Sequence, residues 1–471
     1  MTSIKGMVVV VIALLLTACG QSGPPEPDYT GFRPLGDNAV MQDSTQWGEL
    51  NVHDPAVIKA GDWYYAYSTD ASLGDIHKRG IQIRRSRDLI TWQYLGTAFE
   101  DYASECGEII AHAGMDTGAG DGFWAPDVEE IDGVYRMYFS ASTFGSSRSA
   151  IGLAEAKKPE GPFAYKGIVV RSEAGASTMP NAIDPAVVTD KDGKRYLSYG
   201  SFFGGIFIAP LDDATGFFAE GAEPVRIAGN RGCGVEASAI TYLPETGFYY
   251  LFVSYGSLSG DYNIRVGRSE SVTGPYLDPA GRDMWEMGAG GEDKVGAKLL
   301  GGYTFLSDPG LPPTKGYMAP GHEDVLVDGE NYFLIHHGRT YKLPEYWFSM
   351  NVRRFALNSD GWPVVAPNRY QGEALTDCTL PDGEYALVEH GTDSNSESRD
   401  SVRITAADGQ ITGAHAGSYT CYDSWRIRIT LDGVEYDGFV QEQYDWERNS
   451  PVTAFSAMSA DGRSIWGCTQ L

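Results

Sequence analysis

The chain of 471 residues is 42% hydrophobic and 12% aromatic, so it can bury a large core and is not a disordered protein. Its 63 acidic and 36 basic residues give a formal net charge of -27, which excludes nucleic acid and anionic lipid surfaces as electrostatic partners and imposes no penalty on a neutral ligand. The 58 Gly, 28 Tyr and 10 Trp residues are typical of a β-rich protein with many turns and with aromatic platforms for sugar rings.

Residues 1–19 form a predicted export signal. Lys5 supplies the positive charge, and Met7–Leu16 is an apolar run too short for a comfortable transmembrane helix. The LTAC sequence that ends at Cys19 resembles a bacterial lipobox, so we expect a lipidated Cys19 and an exported, membrane-anchored lipoprotein at the cell surface or in the periplasm. An ordinary cleaved signal peptide is the alternative. Residues 20–44, rich in Pro, Gly and polar side chains, predict a solvated tether.

One sequence phrase recurs five times in residues 45–375. Each copy has an acidic residue near its start, a Gly-centred turn and an aromatic-rich alternating strand, and a third alternating stretch follows it. The copies begin at Asp54, Asp127, Asp184, Glu236 and Glu323. Strand-only repeats with no amphipathic helix between them predict an all-β fold, a five-bladed β-propeller. Because the inner strand of every blade runs along the axis, the five acidic residues are expected to meet around one channel.

Residues 376–471 lack this phrase and show short strands separated by turns, which predicts a second, smaller C-terminal domain of β-barrel or sandwich type. An odd number of cysteines, five, follows Cys19, so at least one of them has no partner. The candidate pairings lie among the last three cysteines, or between Cys106 and Cys233. The last three are Cys378, Cys421 and Cys468.

Three acidic residues at predicted strand starts have the chemistry of a glycoside hydrolase. Asp54 and Asp184 each precede a proline, and Glu236 lies at the start of the fourth copy. Hydrolysis of a glycosidic bond needs one protonated carboxyl group for the leaving oxygen and one ionised group that activates water or attacks, and a third carboxylate can raise the pKa of the acid. A lone Asp-Pro pair is more often a turn device, but two pairs and a Glu at equivalent positions favour catalysis.

Residues 45–370 resemble glycoside hydrolase family 43 and, within it, the endo-1,5-α-L-arabinanases. The resemblance rests on the order of seven phrases, HDPAVI at His53, FWAPDV at Phe123, STFGSS at Ser142, NAIDPAVV at Asn181, SYGSFFGG at Ser198, VEAS at Val235 and APGHEDV at Ala319. It implies that Asp54 is the general base, that Asp184 modulates the pKa of the acid, and that Glu236 is the general acid, with inversion at the anomeric carbon. The last strands resemble the accessory β-barrel of longer extracellular arabinanases.

The resemblance also implies substrate and metal contacts. Trp124 is a candidate for sugar stacking, although a packed core Trp is the alternative. The other candidate substrate contacts are Phe144, Gly145, Asn181, Ser201, Phe202 and Phe203. A calcium-like ion held by His322 and mostly by water is implied on the propeller axis. His336 and His337 lie in an apolar strand and are interpreted as structural.

Three functions remain open on the sequence. The first is a monomeric endo-acting enzyme on arabinan and arabino-oligosaccharides. The second is an exo-acting α-L-arabinofuranosidase or β-xylosidase of the same family, and the third is a surface lipoprotein that binds glycans without cutting them. An open groove along the propeller face would favour internal cleavage, whereas loops that block one end would favour release of single sugars.

Overall fold

The computed structural model describes most of the chain after residue 41. The described residues are 42–72, 77–175, 180–229, 233–287, 295–307, 314, 316–340, 348–393 and 398–470. The predicted signal peptide, Cys19 and nearly all of the predicted tether lie outside them. Within the described part of the chain, no helix is long and apolar enough to cross a membrane.

Five antiparallel sheets follow one another along the chain, each in the order of its strands. Blade 1 contains β1 (Val52–Ala60), β2 (Trp63–Asp70), β3 (Gln82–Ser86) and β4 (Gln93–Thr97). Blade 2 contains β5 (Trp124–Ile131), β6 (Val134–Ala141), β7 (Ser149–Ala156) and β8 (Ala164–Ser172). Blade 3 contains β9 (Ala186–Thr189), β10 (Arg195–Tyr199), β11 (Ile206–Pro210) and β12 (Val225–Ala228). Blade 4 contains β13 (Val235–Leu243), β14 (Phe248–Tyr255), β15 (Asn263–Ser269) and β16 (Ala297–Leu300).

Blade 5 closes the ring. It contains β18 (Tyr317–Asp328), β19 (Asn331–Thr340), β20 (Phe348–Leu357) and β21 (Pro363–Val365), and the short β17 (Tyr303–Thr304) pairs with β18. Each inner strand contacts the inner strand of the next blade, and β18 contacts β1. The junction is sealed by buried apolar side chains of both blades, such as Val57 and Ile335, and by a backbone bridge between Leu50 and Ser349. The predicted five-bladed propeller is therefore confirmed.

A short helical insertion separates blades 1 and 2, and the sequence reasoning missed it. It consists of α1 (Tyr102–Glu105) and α2 (Gly107–Ala113). Asp101 caps α1, because its carboxylate accepts from the amide of Ser104. Only Ile109 and Ala113 of α2 are buried. Helices this short show no clear apolar periodicity, so the sequence pattern does not predict them.

The C-terminal domain is a closed barrel of eight strands, so of the two predicted types it is the barrel. Its strands are β22 (Gly383–Glu389), β24 (Val402–Ala407), β25 (Gln410–Gly413), β26 (Gly417–Tyr422), β27 (Arg426–Leu431), β28 (Val434–Asp445), β29 (Ser450–Ser459) and β30 (Ser464–Thr469). A further short strand, β23 (Arg399–Asp400), pairs in parallel with β17 of the propeller. Trp466 of the barrel packs in one buried cluster with Tyr303 and Phe355 of the propeller.

Of the candidate cysteine pairings, one among the last three cysteines forms, and the pairing of Cys106 with Cys233 does not. Cys378 and Cys421 form a disulfide that closes a loop within the barrel region. The candidate pair Cys106 and Cys233 is wrong, because these two residues form no disulfide and are buried in separate core clusters. Cys468 is also a buried free thiol.

Candidate active site

Each blade carries a residue in the left-handed backbone region near the start of its inner strand. In blades 1, 2, 4 and 5 the pairing with the second strand is interrupted there, and in blade 3 the residue lies just before β9. A second such residue, Ala319 (φ 49), lies earlier in β18. The interruption is a β-bulge, which bends a strand and re-aims a side chain. We call the five left-handed residues the bulge residues. They are Asp54 (φ 50), Ala125 (φ 42), Asp184 (φ 57), Ala237 (φ 57) and His322 (φ 50). Such a conformation is costly for a residue other than glycine, and its repetition in every blade shows that the fold imposes it.

The three predicted catalytic carboxylates come from three blades and line one cleft of about 1130 Å³. Asp54 and Asp184 are bulge residues of blades 1 and 3, and both are buried. Glu236 immediately precedes the bulge residue Ala237 in blade 4, and the amide of Ala237 donates to Oδ2 of Asp184 at 3.3 Å. The structure therefore brings together all three residues that the sequence predicted.

Asp54 is surrounded by imidazole rings. The Nδ1 atoms of His53, His322 and His337 lie 2.8, 2.9 and 3.4 Å from its Oδ1 atom. Burial alone would raise the pKa of Asp54, but the neighbouring His322 and His53 rings outweigh burial and hold that pKa well below its ordinary value. Asp54 is therefore ionised at neutral pH, as a general base must be.

Asp184 and Glu236 form the other half of the site. Burial, reinforced by the charges of Glu236 and Asp54 against the opposing effect of His322, raises the pKa of Asp184 to about 8. The side chain of Glu236 is held at both oxygens, because the hydroxyls of Ser201 and Tyr262 each donate to it at 2.7 Å. Asp184 therefore keeps a proton near neutral pH beside an ionised Asp54.

The register of the repeats differs from the predicted one in three copies, those of blades 2, 4 and 5. In blade 4, Glu236 pairs with Ser254 as His53 pairs with Thr69 in blade 1, so Glu236 is equivalent to His53 and not to Asp54. In the pairing with the second strands, Asp127 lies opposite Tyr138 and Asp324 lies opposite Ile335. The residue of blade 1 at the same position is Ala56, which lies opposite Tyr67. Asp127 and the acidic pair Glu323 and Asp324 are therefore not equivalent to Asp54. The carboxylate of Asp127 accepts from the Val187 amide, and that of Asp324 accepts from the Val57 amide, both at 2.6 Å. These two aspartates bind the inner strand of the following blade.

All of the predicted substrate contacts line the cleft. They are Trp124, Phe144, Gly145, Asn181, Ser201, Phe202 and Phe203. Phe144 is 88% exposed and stands on a turn at the rim, whereas Phe202 is 40% exposed. Asn181 is buried, and its side-chain oxygen accepts from the Ser149 hydroxyl at 2.8 Å. Phe144 therefore presents the most open aromatic face of this set, and Asn181 is fixed by the surrounding blade.

Three residues near the carboxylates were not assigned from the sequence. His53 precedes Asp54 and could have been found as its chain neighbour. Tyr262 gave no signal, because it reaches Glu236 only through the folding of blade 4. The structural interpretation of His337 was incomplete, since its Nδ1 atom lies 3.2 Å from the amide of Asp54. His336 does serve the core, where it accepts from the guanidinium of Arg353 at 3.1 Å.

The donor groups near His322 fit a largely hydrated cation. Of the bulge residues, only His322, Asp54 and Asp184 carry side-chain ligands, and Nδ1 of His322 already contacts Asp54. Calcium takes about six to eight oxygen ligands, so one imidazole nitrogen and few carboxylates leave most positions to water. Within the described residues, His53, Asp54 and His337 also place ligand atoms within 4.8 Å of one another. That second set, with two imidazoles, suits a transition metal better than calcium.

Comparison with known proteins covers both domains. The profile of Glycosyl hydrolases family 43 matches residues 48–363, and that of a C-terminal lipocalin-like domain matches residues 367–467. An extracellular endo-alpha-(1->5)-L-arabinanase of Thermotoga petrophila is 36% identical over 462 residues, covering 88% of this chain and 93% of that relative. The extracellular endo-alpha-(1->5)-L-arabinanase 2 of Bacillus subtilis is 33% identical over 470 residues, covering 91% and 95%. The crystal structure of endo-1,5-alpha-L-arabinanase from Thermotoga petrophila gives a TM-score of 0.81 at 34% identity, over 90% of this chain and 99% of that one.

Proposed function

Since the chain belongs to Glycosyl hydrolases family 43, we propose that this glycoside hydrolase cuts internal (1→5)-α-L-arabinofuranosidic linkages of arabinan, with inversion at the anomeric carbon. The observation that carries the proposal is the meeting of Asp54, Asp184 and Glu236 in one cleft. The substrate assignment is supported by relatives described as endo-arabinanases, which are similar to this chain across both domains.

In the proposed reaction, the general base Asp54 and the general acid Glu236 act in one step. Asp54, held ionised by the imidazoles around it, accepts a proton from the water that attacks the anomeric carbon. Glu236 donates its proton to the leaving glycosidic oxygen, and Asp184, which accepts from the amide next to Glu236, is assigned to modulate the acid. The bond between the anomeric carbon and the leaving oxygen breaks as the bond to water forms, so the configuration inverts.

We further propose that His322 holds a hydrated calcium ion. When bound, such an ion would add positive charge near Asp54 and Asp184 and lower their pKa values. Such an ion would need the neutral form of the His322 ring, whose Nδ1 atom contacts Asp54. The assignment is checked by calorimetric titration of metal-depleted protein and of H322A with calcium.

Export of the protein is a separate proposal. It is supported by the signal-like residues 1–19 and by relatives that are described as extracellular. We propose a lipid anchor on Cys19, which a labelled fatty acid would test in cells that express the full chain. Label in the wild type and none in C19S is the expected result, and an unlabelled wild type would contradict the anchor.

Product sizing tests the proposed activity. Wild-type protein is incubated with debranched linear arabinan, with xylan as the control polysaccharide, and the products are separated by length over time. We expect a rapid fall in the length of arabinan with short arabino-oligosaccharides as products, and no cleavage of xylan. Release of single arabinose units from otherwise full-length chains would indicate an exo-acting enzyme. Binding without any cleavage would indicate a glycan-binding protein.

A further inference from the structure

The backbone amides of the bulge residues are bound by side chains of the preceding blade. A bulge removes an N–H group from the strand ladder, and a buried N–H group needs another acceptor. The amide of Ala125 donates to Thr69 Oγ1 at 2.7 Å, and that of Asp184 donates to Ser140 Oγ at 2.9 Å. The amide of His322 donates to Ser254 Oγ at 2.7 Å, and that of Asp54 donates to His337 Nδ1 at 3.2 Å.

These four acceptors occupy equivalent positions in their blades. In the second strands, Thr69 pairs with His53, Ser140 with Trp124, Ser254 with Glu236 and His337 with Gly321. The corresponding position of blade 3 is Gly200, whose amide donates to the carbonyl of Ile183. Glycine offers no side-chain acceptor, and there the amide of Ala237 donates to Asp184 instead. The same type of hydrogen bond between neighbouring blades therefore recurs around the ring.

Only two of the four acceptors bind the amide of a predicted catalytic residue. We propose that Ser140 and His337 are positioning residues, which fix the backbone of Asp184 and Asp54 so that their carboxylates face the substrate. This inference rests on the proposed function of the three carboxylates. Ser140 and His337 are both 0% exposed, so neither of them can touch a sugar. Their effect on the reaction must pass through the aspartates that they hold.

A second hydrogen bond to each inner strand confines the effect of losing Ser140 or His337 to the catalytic aspartate. Three residues beyond each catalytic aspartate, the amides of Val187 and Val57 are bound by Asp127 and Asp324. Each pair of contacts comes from the same preceding blade, blade 2 for Asp184 and blade 5 for Asp54. Loss of Ser140 or His337 therefore leaves the inner strand bonded at Val187 or Val57, whereas the backbone of the catalytic aspartate is released. A displacement of a reacting group by about 1 Å can cost 10²-fold in rate.

The test compares variants that remove or restore one acceptor. S140A removes the hydroxyl, and S140T restores it in the form that blade 1 uses. H337Q moves the amide oxygen one carbon away, whereas H337N keeps an acceptor attached to Cγ, as Nδ1 is. S86A is the matched control, because it removes the buried Ser86 hydroxyl, which accepts from the Leu89 amide at 2.9 Å and does not line the cleft. For each variant, kcat, KM and the melting temperature are measured.

We expect S140A and H337Q to lose kcat by about tenfold or more, with KM within about threefold of wild type. S140T and H337N should regain most of that loss. S86A should lower the melting temperature about as much as S140A does, while its kcat stays within about threefold of wild type. A merely structural role would lower stability in all three blades alike and would not separate kcat from KM.

The proposal is overturned if S140A loses no more kcat than S86A, or if H337N is no better than H337Q. The comparison uses whichever glycan wild-type protein cleaves fastest, so it stays informative whatever that glycan is. Failure of wild type to cut linear arabinan would reject the proposed substrate, whereas equal rates for S140A and S86A would reject the positioning role alone.

Discussion

Nδ1 of His322 lies 2.9 Å from Oδ1 of Asp54, so an imidazole of blade 5 is bonded to a carboxylate of blade 1 where the ring closes. Each group favours the charged form of the other. Burial would lower the pKa of His322, but Asp54 and Asp184 outweigh it and raise that pKa to about 10. The pKa of Asp54 lies well below its ordinary value. Without a bound cation the pair is therefore ionised throughout the neutral range, whereas a cation on His322 would replace a proton of that ring.

Replacement of His322 should move the acidic limb of the pH profile. In H322Q the carboxylate of Asp54 loses its main counter-charge, so its pKa rises and the base is protonated at a higher pH. We expect the acidic limb of kcat/KM to shift upward by about one pH unit or more, with little change above pH 7. The measurement is kcat/KM on linear arabinan across the acidic range. H415Q, the same substitution in the barrel, is the control, and an acidic limb that stays in place would contradict the account.

Removal of the Phe144 ring should weaken binding more than catalysis. This ring is 88% exposed at the rim of the cleft, where it can stack on a sugar away from the reacting bond. A stacking contact of about 1 kcal/mol corresponds to roughly a fivefold change in affinity. We therefore expect F144A to raise KM for arabinan about fivefold with kcat within about twofold, and F144W to retain the wild-type KM. A fall in kcat at unchanged KM would place Phe144 elsewhere in the mechanism.

Lys298 should make the stability of the protein depend on alkaline pH. This residue of β16 is buried next to the barrel, and its Nζ atom donates to the carbonyl of Asp393 at 2.8 Å. Burial, with the nearby charges of Arg265 and Arg399, lowers the pKa of Lys298 from 10.5 to about 7. The folded protein thus binds fewer protons than the unfolded chain between these values, and the cost of the buried lysine falls as the pH rises through that window.

K298M removes the free-energy cost of burying the charged lysine. The gain in stability of K298M over wild type should therefore be larger at pH 7 than at pH 10. We expect the difference in melting temperature, K298M minus wild type, to be more positive at pH 7 by roughly 2 °C or more. K157M, which replaces an exposed lysine, should show no such difference. Equal differences at both pH values would show that the amine of Lys298 is charged in the folded protein at pH 10 as well.

The sequence predicted the number of blades because each blade repeats the same alternation of buried and exposed side chains, with a turn at a fixed place. It also predicted Asp54, Asp184 and Glu236, since these residues lie at the entry of inner strands. It placed Asp127 wrongly, because the register is set by pairing across a bulge and a bulge leaves no mark in a repeated phrase.

Contacts that arise only when the ring closes could not be predicted. His337 and Asp54 are 283 residues apart in the chain, and their hydrogen bond joins the last blade to the first. No spacing rule connects residues at such a separation. The candidate pair Cys106 and Cys233 failed for a related reason, because spacing along the chain does not show that two thiols belong to different cores.

Catalysis by the carboxylates on the axis is tested most directly by the kcat of D54N and E236Q on linear arabinan, with binding of an arabino-oligosaccharide measured separately by calorimetry. D62N, an exposed aspartate in the same blade as Asp54, is the control and should match wild type. We expect D54N and E236Q to lose kcat by about a thousandfold or more while the affinity for oligosaccharide stays within about threefold of wild type. A kcat above roughly a tenth of the wild-type value in either variant would contradict the account.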